Sequence, residues 1–235
     1  MNQQKIDKRK AYYLMVDVET CNTIQDEQGL GTPFVYDLGM AVIDKKGNVY
    51  EQYSLLIKEV YVDMEDLMTS AYYGHKLPQY EEERMVGLRK LVTFYQARKL
   101  VKDLCEKYNC KSVIAHNAGF DLNSLNNTQR FLTKSKYRYF FPYGVEIWDT
   151  LKMAQDTICK QKTYIKFCEE NNYLTEKKRQ PKATAEVLYR YITGNNNFKE
   201  SHTGLEDVMI EKEIFAKCMA QHKKMRKKLF EKCLE

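Results

Sequence analysis

The sequence predicts an α/β protein: a mixed sheet, an antiparallel three-strand meander extended by parallel strands, with helices packed over it. Three observations carry this. Three β-rich runs near the N-terminus, the last two joined by a short polar turn, read as a meander. Short apolar runs then alternate with stretches of helical period toward the C-terminus. The composition is that of an ordinary globular protein, with 235 residues, 43% hydrophobic and 30% charged, long enough for one sizeable core.

The elements follow in order. Ala11 to Val18, rich in β-branched and aromatic residues, is the first strand. Pro33 to Ile43 is the second, Asp44 to Asn48 a turn, and Val49 to Ile57 the returning third strand. Residues 60–86 lack a clear period and hold Tyr72, Tyr73, His75 and Tyr80, which suggests a functional loop region. Apolar residues from Leu88 to Tyr108 recur at helical spacing and predict one helix over that span. Ser112 to His116 reads as a short buried strand, Asp121 to Phe131 as a helix, and Val145 to Trp148 as another strand leading into a helix from Thr150. Further helices are expected near 160–170 and 184–192, and a long final one from Leu205.

Several function classes fall away at this level. No apolar run approaches the roughly 20 residues that span a bilayer, and no signal-peptide core follows Met1, so a cytoplasm is the expected compartment. Seven cysteines without a C-x-x-C argue against a disulfide framework and a structural zinc site. The net charge of +6 is uneven: residues 11–210 hold 26 basic and 27 acidic residues, so the excess lies at the two ends. The chain divides accordingly into a basic N-terminal segment (1–10), one domain (11–220) and a basic, helical C-terminal extension (221–235). Basic ends suit a polyanionic partner, and equally a solvated helix and tail.

Three groups of carboxylates stand in unusual places. Asp17 and Glu19 share one face of the first strand's end, with no Lys or Arg in that strand to pair with. A hard divalent cation would resolve their repulsion; so would exposure to water. Asp121 follows a buried strand through His116-Asn117-Ala118-Gly119-Phe120, where it serves equally well as a helix cap. Asp207 heads an apolar stripe, Ile210, Ile214 and Cys218, on a helix that is apolar on two sides. A carboxylate there is costly unless paired or metal-bound. His202 lies five residues earlier, about 140° away on a helix, so it reaches Asp207 only from the loop before it.

Taken together, Val16-Asp17-Val18-Glu19-Thr20, His116-Asn117-Ala118-Gly119-Phe120-Asp121 and His202-Thr203-Gly204-Leu205-Glu206-Asp207-Val208 resemble the three motifs of the DEDDh exonucleases. This is the DnaQ-like 3′→5′ exonuclease family, of ribonuclease H-like fold. The likeness covers about residues 12–218, includes Trp148-Asp149-Thr150-Leu151 between the last two motifs, and is strongest to bacteriophage-encoded members, whose compartment would be the host cytoplasm. The resemblance implies two divalent cations, Mg²⁺ or Mn²⁺, held by Asp17, Glu19, Asp121 and Asp207, with His202 as general base. It also implies a nucleic acid with a free 3′ end as partner, single-stranded DNA being the expected substrate, and 5′-mononucleotides as product. Thr20, Asn117 and Phe120 are the candidate substrate contacts; Cys21-Asn22-Thr23 departs from the residues usual after the first motif. The alternatives are an RNA- or oligonucleotide-specific exonuclease and a non-catalytic nucleic-acid-binding module on the same fold. Separately, Lys134 to Tyr143 interleaves three cations with five aromatics, the pattern of a single-strand contact or of a core segment with solvated cations.

Overall fold

The structure is a computed structural model that describes residues 6–22, 32–69, 71, 73–134, 136–177 and 179–230. Lys5, Tyr72, Thr23 and residues 231–235, with Lys232, lie outside the described residues. Six strands form one sheet in the order β4-β3-β2-β1-β5-β6. The meander is β1 (Tyr12–Asn22), β2 (Pro33–Asp44) and β3 (Val49–Ile57), antiparallel as the sequence predicts. β4 (Lys90–Val92), β5 (Ser112–Ala115) and β6 (Glu146–Asp149) are parallel additions. β1 therefore sits centrally, antiparallel to β2 and parallel to β5, and is largely buried.

Helices cover both faces. The segment after β3 folds into α1 (Lys58–Tyr61), α2 (Glu65–Met68) and α3 (Leu77–Met85). With α4 (Phe94–Tyr108) and α5 (Gly119–Leu132) they share one core, which holds Leu14, Val16, Tyr36, Val101 and Leu125. The other core lies under α6 (Thr150–Asp156), α7 (Lys162–Glu170), α8 (Ala185–Thr193) and α9 (Gly204–Met219), around Met15, Ile43, Ile114, Ile214 and Phe215. Among the described residues no helix is long and apolar enough to cross a membrane.

Two expectations are corrected. The helix predicted from Leu88 begins at Phe94, because Thr93 and Gln96 form a reciprocal capping box and residues 90–92 pair with β3. Leu88 is solvent-exposed and is not part of the stripe. The C-terminal extension is not helical over its described part. After Met219 the chain turns and pairs with β6 through Leu229 N–H to Ile147 O (2.8 Å) and Asp149 N–H to Lys227 O (2.8 Å). Three of its cations are engaged there: Arg226 with Asp156 (2.8 Å), Lys228 with Glu146 (2.5 Å), and Lys227 5.1 Å over the Trp148 ring.

Candidate active site

β1, which continues to Asn22 rather than ending at Val18, carries Asp17 and Glu19 in its second half, just past the C-terminal end of β5, the usual location of ligand crevices in open α/β sheets. Glycine then lets a helix in. Gly39 lies opposite Asp17 in the β1–β2 register, and the N-terminus of α9 rests directly on it. A Cβ on Gly39 would stand 2.0 Å from the Gly204 carbonyl carbon, and one on Gly204 would stand 2.6 Å from Gly39 N. Only this backbone approach seats Asp207, in the first turn of α9, over the strand acids. α5 begins from the other side and points Asp121 into the same space.

Carboxylate oxygens of Asp17, Glu19 and Asp207 lie within 4.8 Å of one another, as do the ligand atoms of Glu200, His202 and Asp207. They open into a cavity of about 1200 Å³ that also takes in Asp121, Thr20, Asn117 and Phe120. All eight residues singled out in the sequence thus reach one cavity. Glu211, one turn after Asp207 on α9, and Glu200 join them. Glu211 is buried and its Oε2 accepts the His116 N–H at 3.2 Å.

The charges in this cavity are poorly balanced. Burial, then Glu211, Asp121, Asp207 and Glu19, push Asp17 well above the usual carboxylate range. Burial also pushes Glu19, Asp121 and Asp207 up to about 8 each, with Asp207 and Asp37 adding to the rise at Glu19 and Glu200 to that at Asp207. Glu211 moves the same way, by burial and then by Asp121 and Asp207. Lys76 offsets this at Glu19 and Asp207 only in part. Asp121 is 3% exposed, and its Oδ1 has no hydrogen-bond partner among the described residues. A buried carboxylate oxygen without a donor is costly as an anion. Hard oxygen donors crowded this closely are a fit for divalent cations of the Mg²⁺ or Mn²⁺ class.

His202 stands on the loop before α9, as its spacing from Asp207 requires, with a left-handed backbone (φ 52°). Its ring stacks on Tyr73 (centroids 4.5 Å apart, planes 9° apart), and its Nδ1 lies 3.9 Å from Glu200 Oε2. Lys76 Nζ donates to the His202 carbonyl at 3.3 Å and sits over the Tyr73 ring. Burial and Lys76 hold the imidazole below its ordinary pKa, which favours the neutral ring. The aperiodic 60–86 segment thus supplies the support of this histidine. His116, in contrast, is turned inward: its Nε2 contacts Ala183 O at 2.9 Å and its Nδ1 Thr150 Oγ1 at 2.9 Å. Asp149 caps α6 through Leu151 N–H and holds the Asn117 N–H at 3.0 Å.

No protein-family model matches the sequence, and no curated protein is significantly similar to it. Solved structures do match in three dimensions. The nuclease domain of 3′hExo, a DEDDh family member bound to rAMP, superposes with a TM-score of 0.60 over 94% of this chain and 98% of that one, at 12% identity. S. pombe Pop2p, in its Mg²⁺- and Mn²⁺-bound form, gives 0.53 over 92% of this chain and 85% of that one, at 13% identity. The fold is ribonuclease H-like. In this ribonuclease H-like sheet, the four acids and the histidine come from β1, α5, α9 and the loop before α9, the places the sequence motifs put them.

Proposed function

We propose that the chain is a metal-dependent 3′→5′ exonuclease acting on single-stranded DNA and releasing nucleoside 5′-monophosphates. The observation that carries this is the buried Asp121 oxygen, which lacks a donor among the described residues, in a cavity already crowded by the carboxylates of Asp17, Glu19, Asp207 and Glu211. Asp17, Glu19, Asp121 and Asp207 would hold two divalent cations. When bound, such a pair neutralises charge on a phosphodiester and acidifies a water.

The chain's own groups do the rest. His202 takes the proton of the attacking water at Nε2, since Nδ1 faces Glu200. The Tyr73 stack fixes the ring plane, and Lys76 favours the neutral imidazole that a base needs. Thr20, Asn117 and Phe120, on the cavity wall, contact the terminal nucleotide. The rAMP and the Mg²⁺ and Mn²⁺ named with the two similar structures support the product class and the cations.

The test is incubation of 5′-labelled single-stranded DNA, duplex DNA and RNA with Mg²⁺ or with EDTA. Single-stranded DNA should shorten stepwise from the 3′ end, and EDTA should stop it. Loss from the 5′ end, or undiminished cleavage in excess EDTA, would rule the reading out.

A further inference from the structure

The aromatic and basic segment Lys134–Tyr143 divides in two in the folded chain. Phe140 and Phe141 join the core. Tyr137, Tyr139 and Tyr143 face solvent, Tyr143 at 96% exposure. Opposite them α4 presents Tyr95, Arg98, Lys99 and Lys102, spaced i, i+3, i+4, i+7 and so on one helix face. These α4 residues line, with Tyr137 and Tyr143, a groove of about 440 Å³ in which Asp103 is the acidic member. The groove floor is fixed, because Arg98 Nε donates to Phe140 O at 3.2 Å while its guanidinium sits 4.9 Å over the Tyr137 ring.

Two features indicate what fills it. Tyr95 is 71% exposed, so large rings stand in water on both sides of the groove. Cations flank them in a domain whose body is otherwise balanced in charge. Exposed rings for bases beside cations for phosphates are the elements of sequence-tolerant single-strand binding. The groove is also placed for this. From Asp121, in its first turn, α5 runs on to Leu132, about 18 Å, ending where the aromatic segment begins.

We propose that this groove binds the body of a single-stranded nucleic acid whose 3′ end lies at the acid cluster. Its link to the cluster rests on the exonuclease reading; the binding itself does not. The decisive probe is a fluorescent circular single-stranded DNA, which has no end to place in the active site. Its affinity is read by anisotropy in EDTA, for the wild type, Tyr95→Ala/Tyr143→Ala and Lys99→Ala/Lys102→Ala. Loss of the two exposed rings should weaken the circle roughly tenfold or more. Loss of the two lysines should make the log–log salt dependence shallower by about 1.4. Both variants should keep the wild-type melting temperature and wild-type cleavage of a dinucleotide. The proposal is overturned if the wild type does not bind the circle, or if both variants bind it as the wild type does. Weakened circle binding in a protein that cleaves no strand would keep the groove and remove the exonuclease reading. Normal 3′ cleavage with circle binding unaltered by either variant would do the reverse.

Discussion

Asp37 and Asp207 are both buried carboxylates at the N-terminus of α9, and they are neutralised in different ways. Asp37 Oδ2 accepts from Tyr80 Oη (2.9 Å), Arg89 Nη1 (3.1 Å) and Gly204 N–H (3.0 Å). Arg89, itself buried, also reaches Ser54, Glu83 and Glu206. That region carries its own cation, although Asp37 Oδ1, like Asp121 Oδ1, finds no hydrogen-bond partner among the described residues and burial still raises the Asp37 carboxyl. Asp207, three residues into the same helix, faces Asp17 and Glu19 with Ser201 Oγ at 3.3 Å and only partial help from Lys76. Burial of acids is common to both regions; what separates an anchor from a candidate metal centre is whether the chain supplies the countercharge.

The largest contrast is expected from the acids themselves. Asp17→Ala should drop turnover to background, while the metal-free protein melts no lower than the wild type, since a buried acid whose ionisation the fold opposes has been removed. A folded Asp17→Ala protein with near-normal turnover would show that the cluster is not catalytic. Arg89→Met should do the opposite, leaving Asp37 buried and unpaired and costing about 3–5 kcal/mol in urea unfolding. A cost below about 1 kcal/mol there would dissolve the distinction drawn between the two regions.

Much of this site was legible in the sequence, but through the joint order of the three motifs and the family they resemble; singly, Asp121 reads as a helix cap and Asp17 and Glu19 as a solvated strand end. Asp37 and Glu211 were open to the argument made for Asp207, one mid-strand between Tyr36 and Leu38, the other a turn beyond Asp207 on the same buried helix. Arg89 was not, since its pairing with Asp37 spans 52 positions and follows only from the sheet. Nor was the course of the C-terminal segment: a run of cations reads as a solvated helix, and only the open edge of β6 explains why it bridges to Trp148 at Lys228. Two predicted edges that moved, at Leu88 and after Met219, are places where backbone pairing with the sheet overrode helical spacing.

Smaller effects sharpen the assignment of His202. His202→Ala should lower the rate roughly 10²–10⁴-fold while Mn²⁺ binding, read by calorimetry, is kept. Tyr73→Ala removes only the stack beneath the ring, and an aromatic pair worth about 0.5–1.5 kcal/mol corresponds to a loss of roughly 2- to 12-fold. Tyr73→Phe should recover it. If Tyr73→Ala abolished metal binding, Tyr73 would be holding the α9 loop in place and not the imidazole plane.

The most direct measurement is the melting temperature of the metal-stripped protein between pH 5 and pH 8, with EDTA or with excess Mg²⁺. In the unfolded chain the acids of the cluster lose their protons near pH 4; in the folded, metal-free chain Glu19, Asp121 and Asp207 keep theirs up to about 8. Across that window the folded state holds more protons, so stability in EDTA should fall as pH rises. Mg²⁺ should reverse the fall, with its largest gain at pH 8, and Asp121→Asn should flatten both trends. A melting temperature in EDTA that is level or rising toward pH 8, and unmoved by Mg²⁺, would contradict the claim that these acids are arranged to hold a divalent cation.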